Sequence, residues 1–152
     1  MQTWRIIPTD ETDDYYQKMA LDEAILISVS QNDSPTTLRF YRWDKPAVSI
    51  GYFQKAEDEI NLEACRLDKV AIFRRMTGGG AVFKDPKGEF NYSLVIKESH
   101  PHIPSDIRLS YKVIEQGIIG GLATLGLDAQ LSGINDITVN GKKISGNAQT
   151  RK

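Results

Sequence analysis

Two short stretches of this chain carry residue types that do chemistry on anions. The first reads Arg74-Arg75-Met76-Thr77-Gly78-Gly79-Gly80-Ala81-Val82-Phe83. Glycine has no Cβ, so this backbone can take positive φ and approach a ligand closely. Successive bare N–H groups in such a loop form an anion-binding concavity. Arg74 and Arg75 stand beside it, and a guanidinium offers a planar fork to phosphate or carboxylate. No Gly-Lys-Ser/Thr follows, which excludes a P-loop, and the spacing is not the G-x-G-x-x-G of dinucleotide folds. On composition alone, a tight bend or bulge between two strands stays open as the other reading.

The second stretch runs from Asp136 to Ser145 around Asn140-Gly141. Asn-Gly between two β-like runs is a strong hairpin signal. A two-residue turn predicts that Val139 faces Lys142, Thr138 faces Lys143, Ile137 faces Ile144 and Asp136 faces Ser145. Side chains alternate across a strand, so one face should carry Val139, Ile137, Ile144 and the Lys142 stem. The other should carry Asp136, Thr138, Lys143 and Ser145, with Asp136 and Lys143 in diagonal reach. This separates the two lysines. Lys142 snorkels to solvent near the turn, whereas Lys143 is a candidate catalytic cation. An ordinary solvated strand face is the alternative.

The elements that must position these groups follow from periodicity. Trp4–Ile7 reads as a strand closed by Pro8. Residues 15–30 read as a helix capped by Asp13 or Asp14, with Leu21, Ala24, Ile25 and Val29 inward. Residues 38–43 and 47–52 read as strands joined by a turn at Asp44-Lys45-Pro46. A short helix is expected over 58–68, with Ile60, Ala64 and Leu67 inward, then a strand over 70–75 that feeds the glycine loop. Alternating Phe90, Tyr92, Leu94 and Ile96 predict another strand. Residues 105–125 make the longest helix, with Tyr111, Ile114, Ile118, Leu122 and Leu125 as its buried stripe. Its Gly117, Gly120 and Gly121 suggest close packing against another element. The predicted class is α/β of the α+β type, a mixed and largely antiparallel sheet packed by helices.

The 152 residues suit one domain with a real core. Nineteen basic against twenty acidic residues give a net charge of −1, without the basic excess of a nucleic-acid binder. Apolar runs are too short to cross a membrane, and the N-terminus lacks the pattern of a signal peptide. One cysteine cannot form an internal disulfide, and a cytoplasmic location is expected.

Together the two stretches resemble the lipoate–protein ligase A family, within the superfamily that includes biotin ligases and octanoyltransferases. The family's Arg-Arg-x-Ser/Thr-Gly-Gly-Gly-Ala-Val-Phe loop is matched by Arg74–Phe83, its Asn-Asp segment by Asn135-Asp136, and its Lys-Ile/Val-Ser-Gly-Ser/Asn-Ala segment by Lys143–Ala148. Leu38–Tyr41 and Ile50–Gln54 are similar to its early strands. The resemblance implies the biotin/lipoate ligase, class II synthetase-like fold. It also implies ATP-dependent activation of lipoate to lipoyl-AMP, with ATP and Mg²⁺ as substrate complex. The lipoyl group would then pass to a lysine of a carrier domain, such as the glycine-cleavage H protein or a 2-oxoacid dehydrogenase E2 subunit. By the same resemblance Lys143 is the essential lysine, placed where charge develops. Arg75, Gly79, Gly80, Ala81, Val82 and Phe83 would hold ATP or lipoyl-AMP together with Asn135 and Asp136. Asp136 would orient Lys143 or help place Mg²⁺ through phosphate oxygens.

Two departures accompany the match. Lys84 stands where many relatives have histidine after the loop. Residues 1–152 are also expected to be the N-terminal part of a catalytic domain, with the C-terminal remainder and an accessory domain outside them. The rival reading is an octanoyl or lipoyl transferase, which needs a thiolate nucleophile. Residues 131–136 contain no cysteine, and Cys65 reads as a small buried hydrophobe, so that nucleophile would lie outside this chain. An inactive adenylate-binding fragment is a third reading. His100 and His102 flank Pro101 with no acidic or thiol ligands nearby, and read as loop histidines.

Overall fold

A computed structural model describes residues 3–9 and 12–152. It divides into two compact units, one ending at Lys97 and one beginning at Glu98. The fold class is the mixed, antiparallel-rich α+β arrangement that periodicity predicts.

The first unit contains two three-stranded sheets. In one, β1 (Trp4–Ile7) pairs parallel with β2 (Thr36–Tyr41), which pairs antiparallel with β6 (Asn91–Val95). In the other, β3 (Ala47–Ile50) lies between β4 (Ala71–Arg74), parallel to it, and β5 (Val82–Lys84), antiparallel to it. The two strands joined by the turn at Asp44-Lys45-Pro46 therefore belong to different sheets. Turn chemistry marks where the chain bends but does not choose the partner of the next strand.

Helix α1 (Tyr15–Ser30) begins at Asp14, whose Oδ1 accepts from the Tyr16 and Gln17 amides at 2.7 and 2.9 Å. That satisfies two of the donors that a helix start leaves orphaned. Its buried residues are Lys18, Ile25 and Val29, while Ala24 is exposed. Ile25 and Val29 pack with Val95 in one core cluster. Trp43, Ala47 and Phe73 form another, against which Tyr15 and Tyr41 pack at ring separations near 5.5 Å from Trp43. Offset and edge-on aromatic geometry of this kind adds to simple area burial. The expected helix over 58–68 is two, α2 (Ala56–Glu59) and α3 (Leu62–Leu67). The break falls at Asn61, which caps α3 through the Ala64 amide at 3.0 Å. Leu67 is exposed and Cys65 half-buried.

The second unit holds α4 (Ile107–Thr124) and an antiparallel sheet of β7 (Ala129–Ser132), β8 (Asp136–Val139) and β9 (Lys142–Gly146). Asp106 caps α4 through the Leu109 amide. Leu125, expected inward, is 76% exposed. A Cβ added at Gly117, Gly120 or Gly121 would meet nothing within 4 Å, so no close packing in the described chain demands these glycines. Among the described residues no helix is long and apolar enough to cross a membrane.

Candidate functional site

The strand order β4-β3-β5 gives the glycine loop its shape. β4 and β5 flank β3 on opposite sides, so residues 75–81 must arch over the end of β3. Two hydrogen bonds seat the arch, Arg75 N to Ile50 O at 3.0 Å and Tyr52 N to Thr77 O at 2.9 Å. Gly51 lies beneath it. A Cβ there would fall 2.0 Å from the Gly79 carbonyl oxygen, so only glycine admits the arch this closely. Gly79 itself has φ +95°, in the region L side chains avoid.

Arg75 pins the arch from inside. Its Nε donates to Thr77 Oγ1 at 3.2 Å, and Nη1 donates to Ser49 O and Oγ at 3.1 and 3.0 Å. Its Nη2 donates to the carbonyls of Gly78 and Gly80, both at 2.8 Å. All five guanidinium donors are thus engaged, and burial lowers the pKa of the group from its usual value. Arg75 had been expected to grip phosphate, but its fork is turned onto the loop. Arg74 Nη1 faces the carbonyls of Gly51, Tyr52 and Gln54 at 2.6–2.9 Å. With Gly78 and Gly80 carbonyls drawn to Arg75, the N–H groups of Gly78, Gly79 and Gly80 have no acceptor among the described residues. Ala81, Val82 and Phe83 are exposed. Lys84 does not stand free for a ligand, because its Nζ pairs with Glu89 at 2.7 Å and Asn91 at 3.2 Å.

In the second unit the hairpin turn forms at Asn140-Gly141 with φ of +50° and +71°, as a primed turn requires. Near it the pairing matches the two-residue register, Val139 with Lys142 and Thr138 with Lys143. Beyond it the register shifts at a bulge between Ile137 and Thr138. Ile137 pairs with Ser145 and Asp136 with Gly146, where Ile144 and Ser145 had been expected. Ile144 becomes the extra residue and is half-exposed rather than sharing the face of the fully buried Ile137.

The bulge sets Gly146 opposite Asp136, and Lys143 lies across it. Lys143 Nζ meets Asp136 Oδ1 at 2.9 Å. A Cβ on Gly146 would come within 2.9 Å of Lys143 Cε and 3.0 Å of Nζ. At 59% and 31% exposure this ion pair adds little stability; what it fixes is the direction of the ammonium. Lys142 is exposed on the neighbouring position.

Behind the pair lies a polar network that the sequence reading missed. Glu115 of α4 is 1% exposed. Its Oε1 accepts from Asn147 Nδ2 at 2.7 Å, and the same Nδ2 reaches Asn135 O at 3.0 Å. Asn147 N also donates to Asn135 O, and Asn135 Nδ2 donates back to Asn147 O. Burial raises the Glu115 pKa, the Asn147 hydrogen bond pulls it down, and the Asp136 charge raises it further. A signal existed: position 115 shares the helical face of Tyr111, Ile114, Ile118 and Leu122. Among the described residues no three His, Cys, Asp or Glu side chains cluster as a metal site.

The model of the lipoyl protein ligase A/B catalytic domain matches residues 14–152. The chain belongs to this family. Among curated proteins, octanoyltransferase LipM of Halalkalibacterium halodurans is 38% identical over all of this chain and 62% of its own length. LipM of Staphylococcus aureus is 35% identical over 99% of the chain, again across 62% of its length. This family member thus spans about three-fifths of the curated relatives it matches. Among solved structures, a bi-partite lipoate protein ligase from Thermoplasma acidophilum, studied with its E2 lipoyl domain, superposes with TM-score 0.84 at 33% identity, over the whole chain and 58% of that structure. Lipoate-protein ligase A bound with ATP superposes at 0.85 and 34% identity, over 62% of that structure.

Proposed function

We propose that this family member transfers an octanoyl- or lipoyl-class acyl group to a lysine of a carrier domain. The observation that carries the reading is the Lys143–Asp136 pair, held across Gly146 at 2.9 Å on the strand that matches the family's lysine segment. Attack on an acyl carbonyl puts negative charge on its oxygen. A fixed cation aimed at that oxygen stabilises the transition state more than the ground state. In this reading Lys143 is that cation and Asp136 its orienting partner. Within the first unit, the unpaired N–H groups of Gly78 to Gly80 are backbone donors suited to an anionic group. Arg75 shapes that loop and does not itself bind the anion.

The relatives named as octanoyltransferases favour a donor that arrives already activated, as a thioester. The acyl carbon then leaves sulfur for the ε-nitrogen of the carrier lysine, and the freed thiol takes a proton. A covalent acyl-cysteine step draws its thiol from outside residues 1–152 in this account, since Cys65 is half-buried on a six-residue helix. The second reading, ATP-dependent activation of lipoate, is favoured by the likeness to the ATP-bound ligase. There Lys143 would serve the acyl-adenylate, with Mg²⁺ carried on the nucleotide phosphates. The E2 lipoyl domain studied with the Thermoplasma ligase supports a lipoyl carrier domain as acceptor.

The deciding experiment uses the longest natural polypeptide that carries these residues. Acylation of a lipoyl domain from octanoyl thioester without ATP supports transfer. Acylation that requires free lipoate and ATP, with release of pyrophosphate, supports the ligase reading and overturns the first.

A further inference from the structure

We infer that Glu115 is a positioning residue for Lys143, acting through Asn147 on the Asn135-Asp136 segment. The inference rests on the acyl-transfer reading for its purpose, but its geometry stands alone. A carboxylate buried to 1% exposure is costly unless hydrogen-bonded, and Glu115 does not lie in a salt bridge with a lysine or arginine of the described chain. Its partner is the Asn147 amide. Asn147 follows Gly146 and Asn135 precedes Asp136, the two residues that face each other at the far end of the hairpin. Three hydrogen bonds tie Asn135 to Asn147, and the fourth ties that knot to α4 through Glu115. The tail beyond is held to the same helix, with Gln149 N donating to Tyr111 Oη at 2.9 Å and Gln149 Nε2 to Ser110 Oγ at 3.1 Å.

The knot has a consequence for the ion pair. Asp136 Oδ1 sits 3.4 Å from the position of a Gly146 Cβ, and Lys143 meets it across that glycine in the bulged register of β8 and β9. A bulge can slip, because the turn at Asn140-Gly141 fixes only the near end. Glu115 and Asn147 fix the far end. Other groups of the helix face, such as Ser110 and Tyr111, hold the tail rather than the hairpin.

The test reads Lys143 directly and does not need catalysis. The protein is treated with a limiting amount of an acetylating N-hydroxysuccinimide ester, and the ratio of label on Lys143 to label on Lys142 is read by mass spectrometry. Lys142 is the internal standard, and Asp136→Asn sets the ratio for a released Lys143. Glu115→Ala and Asn147→Ser are each expected to raise the ratio about three-fold toward that limit, as loss of a paired carboxylate frees the amine. Glu115→Gln keeps the Oε1 acceptor and is expected to keep the wild-type ratio. An unchanged ratio in both Glu115→Ala and Asn147→Ser overturns the inference. So does a Glu115→Gln ratio equal to that of Glu115→Ala. Should Glu115→Ala fail to fold, Asn147→Ser against Glu115→Gln makes the same comparison. Failure of the acyl-transfer reading would leave these ratios untouched, so the two claims fail separately.

Discussion

Lys143 meets Asp136 at 2.9 Å by lying across Gly146, on the far side of a β-bulge. The bulge brings a glycine opposite the carboxylate, and the absent Cβ is the space the lysine stem occupies. An exposed ion pair of this kind is weak as a stabiliser, so its value to the protein lies in aim.

Gly146→Ala tests that aim. Its backbone is not in the left-handed region, so alanine fits the strand, but the new Cβ would displace Lys143 Cε and Nζ. Acyl transfer is expected to fall by about ten-fold or more, as when a transition-state donor is misplaced. Melting temperature should change little. A large loss of stability with normal specific activity of the folded fraction would contradict the account.

Gly51→Ala tests the arch. Its Cβ would overlap the Gly79 carbonyl oxygen at 2.0 Å, a backbone clash that cannot be relieved by a rotamer. Destabilisation of about 2 kcal/mol is expected, in the range of overpacked sites, measured by urea unfolding. Gly78→Ala and Gly80→Ala, where a Cβ meets nothing within 4 Å, should be close to neutral for stability.

Glu115 predicts a pH dependence. Burial raises its pKa in the folded chain above the ordinary value of 4.5, with Asp136 adding to the rise and Asn147 opposing it. A carboxyl raised on folding binds its proton more tightly in the native state. Its contribution is therefore present below pH 4.5 and is lost as pH climbs through the folded pKa. The groups facing it are Asn147, Asp136 with its partner Lys143, and Tyr111. Glu115→Gln removes this titration. The variant should gain melting temperature relative to wild type on going from pH 4 to pH 7, an offset set by the direction of the shift. A relative loss over the same interval would contradict it.

Several of these features could be read from residue types, and others could not. Asn140-Gly141 announced a primed turn because both positions need positive φ, and Asp14 announced a helix start because its carboxylate meets free amides. The Asp136–Lys143 pairing followed from strand alternation. The bulge at Ile144 did not, because alternation gives no sign of one inserted residue until a partner strand is present. The turn between β2 and β3 likewise gave no sign that they enter different sheets, since each strand found its partners far along the chain. Arg75 looked like a ligand-binding guanidinium, and only the folded loop shows the carbonyls and hydroxyls that take its five donors. Glu115 was legible in principle as a charged residue on an apolar helical face.

The most direct test compares Lys143→Ala with Lys142→Ala in acyl transfer from octanoyl thioester to a lipoyl domain. Lys143 carries the aimed cation and Lys142 stands exposed beside it. Loss of about 10²-fold or more is predicted for Lys143→Ala, as for removal of one oxyanion donor, with less than about two-fold change for Lys142→Ala. Equal losses in the two variants, or full activity without Lys143, would contradict the central claim.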